Sequence, residues 1–479
     1  MADFLTAVSD VLYQYILIAL LIGAGLYFSV RTGFVQLRLL PESVRVVTEP
    51  KEEGESLSSF SALMVSTASR VGTGNIAGVA VAIVLGGPGA LFWMWLIALL
   101  GASSAFIEST LAQIYKRRGE NNVSYGGPAY YITTALKARW LGVVFACALI
   151  FTYMGGFNMV ASYNTVDSFR TYGFFSESTT PLILGAVLAL MAALPIFGGG
   201  QRLAHVTSML VPFMAIAYLL AGIAVVFTHL HLVPGMFAAI FSSAFDFPAI
   251  FGGFAGSAMM LGIKRGLYSN EAGVGSAPNA AASASVSHPV KQGLVQMLSV
   301  YIDTWFVCTI TGFTVLASGV VPDEKMAGVA YVQAAVATVF GAWGPPFITT
   351  CLVLFAFTTL IGNYYYSEVN LRFLCHGEPA VWLLRGFRAV AVLIVFCGAL
   401  LEFEMAWSIA DILMGLMALI NIPVIILLGS HAIKASKNYI EQRKQGVNPT
   451  FCAADIGITE KTDYWGPEPQ SVSSSPTTA

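Results

Sequence analysis

A stretch of small and polar residues interrupts an apolar segment in the first part of the chain. Gly72-Thr73-Gly74-Asn75, with Gly78 close behind, lies where no charged residue occurs from Val71 to Ile107. Each glycine costs a helix interior roughly 1 kcal/mol relative to alanine, and hydrocarbon offers no water to the peptide groups that a break exposes. Such a break persists only where it faces protein or a wet cavity. Discontinuous helices of this kind form transport sites, in which free N–H groups face an anionic group and free carbonyls face a cation.

A second apolar segment, Phe251 to Ala284, contains a similar set of glycines before a polar sequence from Lys264 to Glu271. These glycines are Gly252, Gly253, Gly256 and Gly262. Two glycine-rich segments that lie five helices apart indicate an inverted repeat with its site at the repeat interface. We place the second break at Gly262 and predict that Met259, Gly262 and Ile263 form the second half of the pocket.

The composition indicates a helical membrane protein. Of the 479 residues, 56% are hydrophobic and 10% are charged, whereas soluble domains have about 25% charged residues. The net charge of −2 and the absence of a basic tract give no sign of a nucleic-acid partner. The sequence contains no His-Glu-x-x-His pair or Gly-x-Ser-x-Gly elbow, and its cysteines and histidines lack metal-type spacing. We therefore expect no enzyme activity and no cofactor.

About 20 apolar residues span a bilayer, and this rule predicts eleven transmembrane helices. They lie near residues 11–30, 60–86, 89–115, 139–166, 181–199, 204–229, 248–284, 291–318, 346–374, 386–402 and 405–430. Without the first helix, ten remain, and they divide into repeats of about 60–229 and about 248–430, each starting with an interrupted helix. We expect an all-α membrane protein with a five-plus-five inverted repeat after one extra N-terminal helix. Residues 1–432 would form a single transport domain, and residues 433–479 a cytoplasmic tail with a disordered end.

The distribution of lysine and arginine predicts the orientation. If the N-terminus lies outside, the outer loops hold only Arg170 and Lys325, whereas the opposite loops and the tail are rich in lysine and arginine. We therefore expect the N-terminus outside and the C-terminus in the cytoplasm. Two short segments, 129–136 and 236–244, are expected to form helices along the membrane surface.

Several charged residues lie at membrane depth, where an ionisable group is a functional candidate. Asp303 would neutralise a sodium ion, pair with Lys264 or Arg265, bind a proton, or form a structural pair inside the bundle. Lys264, Arg265 and Glu271 would line the cytoplasmic vestibule, either as a gating salt pair or as a static one. Arg70 is a similar gate candidate.

Two partners are open for Arg70, namely Glu108 and Asp411. Neutral polar groups also stand in apolar helices. Adjacent hydroxyls at Thr358 and Thr359 suit sodium, which prefers hard oxygen ligands, or they bond to carbonyls of their own helix. The amide of Asn75 would bind sodium or a substrate ammonium, or form an interhelical hydrogen bond. Asn158 and Asn164 are expected to face inward, for substrate contact or for structure.

The chain resembles the alanine/glycine:cation symporter family, the sodium:alanine symporters of bacteria and archaea. The matching motifs are Val71-Gly72-Thr73-Gly74-Asn75-Ile76-Ala77-Gly78, Gly86-Gly87-Pro88-Gly89-Ala90, Tyr268-Ser269-Asn270-Glu271-Ala272-Gly273 and Gly362-Asn363-Tyr364-Tyr365-Tyr366-Ser367-Glu368. The similarity runs from about residue 10 to residue 445. It implies the five-plus-five fold of the neurotransmitter:sodium symporters and the symport of alanine or glycine with sodium.

The resemblance also implies roles for individual residues. Backbone N–H groups of Thr73 and Gly74 would hold the carboxylate of an amino acid, although these small residues also suit close helix packing. The complete predicted substrate set is Thr73, Gly74, Asn75, Asn164, Met259, Gly262, Ile263 and Asn363. The fold analogy gives a sodium site of carbonyls and hydroxyls from Ala68, Val71, Phe355, Thr358 and Thr359. Asn363 stands where relatives often have tryptophan, which leaves the choice between alanine and a larger substrate open.

We therefore expect a sodium-coupled symporter that imports small neutral amino acids by alternating access. Its partners would be the amino acid, Na⁺ and the lipid bilayer of a bacterial or archaeal plasma (inner) membrane, and a monomer is compatible with this function. One alternative is a sodium- or proton-coupled carrier of glutamine or another larger neutral amino acid. Another is an uncoupled channel or receptor on the same scaffold.

Overall fold

The computed structural model describes residues 2–49, 57–119, 124–198, 200–246, 256–322, 326–460 and 462–466. In these residues the regular structure is helical apart from β1 (Arg117–Arg118) and β2 (Ser124–Tyr125), which pair antiparallel. Nine described helices are long and apolar enough to cross a membrane, and a bent pair of helices forms a tenth such span. The prediction of a multi-pass helical membrane protein is therefore confirmed.

The first half of the chain begins with one long helix and two short ones, followed by the first repeat. The helices are α1 (Asp3–Arg31), α2 (Val35–Arg38), α3 (Leu40–Val47), α4 (Ser59–Arg70), α5 (Gly74–Gly86), α6 (Ala90–Ile114), α7 (Pro128–Ala135), α8 (Arg139–Asp167), α9 (Thr180–Gly198), α10 (Gly200–Thr228) and α11 (Val233–Ala244). The helices that we predicted along the membrane surface at 129–136 and 236–244 correspond to α7 and α11.

The second half repeats this order. Its helices are α12 (Ala258–Asn270), α13 (Ala277–Ser283), α14 (Pro289–Ala317), α15 (Val329–Phe340), α16 (Gly344–Leu374), α17 (Val381–Gly398) and α18 (Phe403–Lys444). A broken pair, α4/α5 or α12/α13, opens each repeat, and four long helices follow it. This order is the predicted five-plus-five arrangement after an extra N-terminal helix.

Packing joins the two repeats. α6, which follows the first broken pair, packs against both helices of the second broken pair, α12 and α13, and against α14. α8 packs against α16 and α9 against α17, which joins corresponding helices of the two repeats. The two broken helices are thus held between elements of both halves, where their freed peptide groups meet protein.

Several helices differ from the prediction. α1 begins at Asp3, well before the predicted start at residue 11. α15 was not predicted, because its 12 residues fall short of the about 20 that a membrane span needs. α17 was predicted at 386–402 and lies at Val381–Gly398. α18 continues to Lys444, beyond the predicted end at residue 430, since the polar residues after the apolar stretch still favour a helix. The part of the predicted tail from residue 433 to Lys444 is therefore helical.

The described residues after α18 return to the ends of the bundle helices. The Trp465 indole N–H donates to the Gln113 carbonyl at 2.7 Å, and Trp465 is 6% exposed. Asp463 forms an ion pair with Arg117 at 3.0 Å. The hydroxyl of Ser287 donates to the Pro449 carbonyl at 2.8 Å, close to the start of α14. These contacts attach the tail to the side of the bundle where α6 ends and α14 begins.

We expect the substitution Trp465→Ala to release this tail. Burying a large aromatic ring stabilises a packed contact by about 3–5 kcal/mol, and the substitution also removes the indole hydrogen bond to Gln113. Limited trypsin digestion should cleave faster after Lys444 in Trp465→Ala than in the unmodified protein. Trp382→Ala is the matched control, because Trp382 is 76% exposed. Equal cleavage of Trp465→Ala and the unmodified chain would show that Trp465 does not hold the tail.

Candidate functional site

The first predicted break is present and lies at residues 71–73. α4 ends at Arg70, and Val71 leaves the helical conformation with ψ at 89°. α5 begins with a π turn at Gly74–Gly78, and the axes of the two helices differ by 55°. Thr73 and Gly74 lie at the start of α5, where N–H groups have no partner within the helix and carry the positive end of the helix dipole. The break thus offers backbone donors to an anionic group.

The glycines of the break allow two helices to approach its backbone. A Cβ atom at Gly72 would lie 2.4 Å from the hydroxyl oxygen of Thr359, and one at Gly74 would lie 2.5 Å from the ring of Tyr268. These glycines are therefore needed for close helix packing, which was the alternative explanation of their presence. It brings a hydroxyl to one side of the break and an aromatic ring to the other.

The second break is present, but our prediction of its position at Gly262 is wrong. α12 continues through Gly262 to Asn270, and the chain leaves the helix at Glu271 (φ 52°), with Gly273 and Gly275 also at positive φ. A Cβ atom at Gly262 would lie 2.4 Å from the carbonyl oxygen of Ala90, so this glycine lets α12 pack against α6. Gly252 and Gly253 lie outside the described residues. The residues after Glu271 indicate the position of the break better than Gly262 does, because Pro278 lies in the first turn of α13 and marks the start of a new helix.

The three residues that we predicted for the second half of the pocket lie on α12, before this break. Gly262 contacts α6, Ile263 is buried and Met259 is half-buried. The last turn of α12, which holds Tyr268 and Ser269, approaches the first break instead. The structure therefore does not bring Met259, Gly262 or Ile263 to the second break.

Sequence reasoning missed a group of three aromatic residues beside the first break. The ring of Tyr268 lies 4.5 Å from that of Phe157 and 4.9 Å from that of Trp407, measured between centroids. The sequence showed that Tyr268 begins a motif shared with the family. Its packing on Gly74 could not be predicted, because it depends on where α12 ends. We call Phe157, Tyr268 and Trp407 the aromatic cluster.

Two of the predicted cation ligands, Thr359 and Ala68, meet between the end of α4 and the middle of α16. The Thr358 hydroxyl instead faces Met214 of α10 at 3.8 Å. The Thr359 hydroxyl donates to the Ala68 carbonyl at 3.2 Å. The Thr358 hydroxyl donates to the Phe355 carbonyl of its own helix at 3.0 Å. Val71 is buried at the end of α4. Hydroxyl and carbonyl oxygens are hard ligands of the kind that sodium takes, and the alternative, a threonine bonding to its own helix, applies here to Thr358.

Asn75 connects the first break to the second repeat. Its amide oxygen accepts the N–H of Gly72 at 2.9 Å, and its amide nitrogen donates to Asp303 at 2.6 Å and to Ser269 at 3.0 Å. The hydroxyls of Ser269 and Thr304 also donate to Asp303. Asp303 lies in a π turn of α14, Tyr301–Cys308, and π turns are frequent at functional sites. The predicted pairing of Asp303 with Lys264 or Arg265 is not present.

Three asparagines link α8 and α16 to the same break. Asn164 donates to the Thr73 hydroxyl at 3.1 Å. Asn363 accepts from the Ser69 hydroxyl at 2.6 Å and donates to the Asn158 amide oxygen at 2.9 Å. All three asparagines are buried, and Asn158 and Asn164 face inward as predicted.

Lys264 and Arg265 lie on the other side of the break from the one we predicted. Asp411, near the start of α18, pairs with Arg265 at 2.7 Å and with Lys264 at 3.1 Å, and Asp10 of α1 pairs with Lys264 at 3.3 Å. They therefore lie at the N-terminal side of α1, which the charge rule predicts to be the outer face, not in a cytoplasmic vestibule. The error follows from the misplaced break, because Lys264 and Arg265 precede it. Glu271 lies at the break itself.

Arg70 is buried at the end of α4 and lies within 4 Å of neither of its two predicted carboxylate partners. Its guanidinium donates to the Ser299 hydroxyl at 2.5 Å, and two of its nitrogens, Nε and Nη2, have no hydrogen-bond partner among the described residues. Glu108 instead accepts from the Gly273 N–H at 3.2 Å and from Asn421 at 2.8 Å. Asp411 belongs to the group around Arg265.

Solved structures with this arrangement define the class of the protein. The fold is similar to that of MhsT in complex with L-phenylalanine, with a TM-score of 0.60 and 16% identity over 80% of this chain and 93% of that one. It is also similar to the manganese transporter of Eremococcus coleocola, with a TM-score of 0.52 and 13% identity over 83% of this chain and 89% of that one. The protein has the neurotransmitter:sodium-symporter fold, with a broken helix opening each of two repeats.

Sequence comparison gives the family. Residues 1–453 match the sodium:alanine symporter family. The amino-acid carrier protein AlsT of Bacillus subtilis is 44% identical, over 96% of this chain and 97% of its own length. The sodium/alanine symporter AgcS of Methanococcus maripaludis is 37% identical, over 92% and 98%, and the probable sodium/glutamine symporter GlnT of B. subtilis is 43% identical, over 92% and 91%. The chain belongs to the sodium:alanine symporter family and is a transporter of the sodium-coupled amino-acid class.

The packing role of Gly262 gives a test that separates it from a pocket role. Gly262→Ala should lower the thermal unfolding temperature, because overpacking a helix contact costs about 1–3 kcal/mol. Gly23→Ala is the matched control, since Gly23 lies inside α1 with nothing within 4 Å of the added Cβ atom. The folded Gly262→Ala protein should bind labelled alanine with unchanged affinity. A lower affinity for alanine at an unchanged unfolding temperature would instead indicate that Gly262 lines the substrate pocket.

Proposed function

We propose that this protein imports a small neutral amino acid together with Na⁺ by alternating access. The observation that carries the proposal is the use of the two sides of one helix break. N–H groups with no partner inside the helix begin α5 on one side, and the Thr359 hydroxyl meets the Ala68 carbonyl oxygen on the other. An amino acid and a cation bound there would share the Val71–Thr73 backbone.

The carboxylate of the amino acid would be held by the N–H groups of Thr73 and Gly74. A charged carboxylate in a water-free interior requires hydrogen bonds, and the start of a helix supplies them without a cationic side chain. Asn164 fixes the Thr73 side chain at 3.1 Å. We assign the amide oxygens of Asn75 and Asn363 to the ammonium group, after rearrangement of their present hydrogen bonds from the Gly72 N–H and the Ser69 hydroxyl.

The aromatic cluster supports a small substrate. Tyr268 packs directly on Gly74, and Phe157 and Trp407 flank its ring. A side chain that extended from a bound amino acid toward this cluster would have to displace at least one ring. Alanine and glycine avoid this displacement. The relative GlnT is named for glutamine, so a larger neutral amino acid is the competing substrate that the experiment must include.

Sodium would bind between α4 and α16. In the present structure the Thr359 hydroxyl donates to the Ala68 carbonyl, and a cation between these oxygens would replace that hydrogen bond. The carbonyl oxygens of Val71 and Phe355 and the hydroxyl of Thr358 would complete the ligand set. Each of these ligands is neutral, so they do not cancel the positive charge of the bound Na⁺. That charge would then attract the substrate carboxylate.

Asp303 would act as a fixed negative charge. Its contacts are with donors, namely the Asn75 amide nitrogen and the hydroxyls of Ser269 and Thr304. The Asn75 orientation is set by the N–H of Gly72, which occupies the amide oxygen. The Asn75 amide nitrogen can only donate, so it favours the ionised form, whereas either hydroxyl could also accept the hydrogen of a protonated carboxyl group. We therefore favour charge balance for the cation over proton binding.

The charged residues beside the breaks would form the gates. Lys264 and Arg265 hold Asp411 of α18 on the N-terminal side of the site, and opening on that side requires these pairs to separate. Arg70 lies directly before the first break and Glu271 at the second, and a partner for the Arg70 nitrogens Nε and Nη2 would form as the other gate moves. In this scheme the first group closes the outer entrance and the second controls the inner one.

An uptake panel in proteoliposomes tests the function. Labelled alanine, glycine and glutamine are supplied with a gradient of sodium, of potassium or of protons. We expect alanine or glycine accumulation with sodium alone, and sodium should tighten alanine binding by the same factor by which alanine tightens sodium binding, because coupling is reciprocal. Accumulation driven by protons in the absence of sodium would contradict the role of Asp303. Flux independent of any cation gradient would indicate a channel.

Paired threonine substitutions test the cation site. Thr358→Val with Thr359→Val preserves shape but removes two proposed ligands, so the half-saturating sodium concentration should rise about tenfold or more, equivalent to roughly 1.4 kcal/mol of ion binding. Thr350→Val is the matched control on α16, because Thr350 is exposed and bonds only to the Pro346 carbonyl among the described residues. Thr359→Ser should retain sodium affinity. Unchanged sodium dependence in the paired variant would reject this cation site. The symport function itself is tested separately by the uptake panel.

A further inference from the structure

A basic cleft lies between the extra helix α1 and the last helix α18, away from the transport site. It has a volume of about 430 Å³ and is formed where α1 ends and the polar part of α18 begins. The two helices are in close contact beside it, since a Cβ atom at Gly429 would lie 2.8 Å from the ring of Phe28. Its walls are therefore parts of rigid helices, and its volume lies within the roughly 300–1,000 Å³ range of small-molecule sites.

The cleft has an excess of positive charge. Arg31, Arg38, Lys437 and Lys444 line it, against one carboxylate, Glu441. None of these four cations forms an ion pair within the described part of the chain. Arg38 donates to the Thr32 carbonyl at 3.2 Å and Arg31 to the Tyr27 hydroxyl at 3.3 Å, which leaves further guanidinium hydrogens for an anion.

Exposed apolar side chains precede the cleft along both helices, and one of them, Val30, lines it. Leu26, Val30 and Leu427 are 50%, 66% and 69% exposed, respectively. Side chains of this kind on transmembrane helices face lipid. The basic groups begin at the ends of the same two helices, so they lie at the level of the lipid headgroups. A molecule with a phosphoryl group and acyl chains matches both parts of this surface.

We infer that this cleft binds the headgroup of an anionic phospholipid, with its phosphodiester between the arginines of α1–α2 and the lysines of α18. Basic pockets between transmembrane helices on the lysine- and arginine-rich side of a membrane bind such headgroups, and each cation near the surface contributes to the attraction. Arginine also presents a planar pair of donors to phosphate oxygens. Lipid bound here would join α1 to α18 and hold the extra helix against the transport core.

A second basic cleft on the same side supplies the comparison. It is lined by Arg117, Arg118, Arg139 and Arg372, and Asp463 also lies in it. Arg117 pairs with this aspartate at 3.0 Å. Arg372 pairs with Glu368 at 3.0 Å and Glu378 at 2.5 Å. Positive charge on this side of the membrane is therefore common, and the distinguishing property of the cleft at α1 and α18 is the absence of ion pairs to its four cations among the described residues.

The test measures lipid binding by the full-length protein. Native mass spectrometry would compare retention of phosphatidylglycerol and phosphatidylcholine by the unmodified protein, by Arg38→Gln with Lys437→Gln, and by the control Arg139→Gln with Lys434→Gln. The control removes the same number of charges on the same side, from residues that do not line the cleft. We expect the cleft variant to lose about tenfold or more in phosphatidylglycerol affinity, and the control to retain it.

Two further measurements keep the result decisive. The thermal unfolding of each variant in phosphatidylcholine nanodiscs shows that it is folded, and the unfolding temperature of the unmodified protein should rise on addition of phosphatidylglycerol, less so at high salt. Equal phosphatidylglycerol retention by cleft and control variants would overturn the proposal. It would also fail if inorganic phosphate stabilised the protein as much as phosphatidylglycerol, because the site would then take a free anion.

Discussion

The structure depends on how peptide groups freed inside a membrane are satisfied. The helix is interrupted at Val71–Thr73, at a depth where hydrocarbon supplies no water. Each peptide N–H or C=O group left without a hydrogen bond there would cost several kcal/mol. The protein surrounds this opening with side chains from distant helices. Asn75 takes the Gly72 N–H, and Thr359 reaches the Ala68 carbonyl. The glycines that weaken the helix are also the residues that allow these groups to come so close.

The two breaks, although related by the repeat, solve this problem differently. At the second break, Glu108 of α6 accepts the Gly273 N–H, and Asn421 of α18 donates to the Gly273 carbonyl at 2.9 Å. Gln113 of α6 donates to the Ala284 carbonyl at 2.9 Å after α13. Permanent protein partners therefore satisfy much of the second break. The first break keeps N–H groups and carbonyls that a ligand could satisfy, which is why we propose the binding site there.

The sequence predicted the features that follow from length, hydropathy and backbone chemistry. The apolar segments gave the long helices, and Gly72-Thr73-Gly74 gave the first break. The second break was wrongly placed at Gly262. Glycine allows close packing between membrane helices as well as helix breaks, and the neighbouring residues do not distinguish the two roles. Contacts between distant residues, such as Tyr268 on Gly74 or Asp411 with Arg265, depend on helix rotation and depth. One sequence does not specify these quantities, so the aromatic cluster and the side on which Lys264 lies emerged only in three dimensions.

The elements outside the ten-helix repeat contact the bundle at two opposite ends. α1 contributes Asp10 to the Lys264 pair and the Thr6 hydroxyl to Ser408 at 3.0 Å, both beside Asp411. At the opposite end, the Trp465 region contacts Gln113, the same residue that holds the end of the second broken helix. A buried ion pair contributes little net stability, because desolvation offsets its attraction. The Asp411 pairs are therefore not a large source of folding energy, which fits the closure that we propose for them.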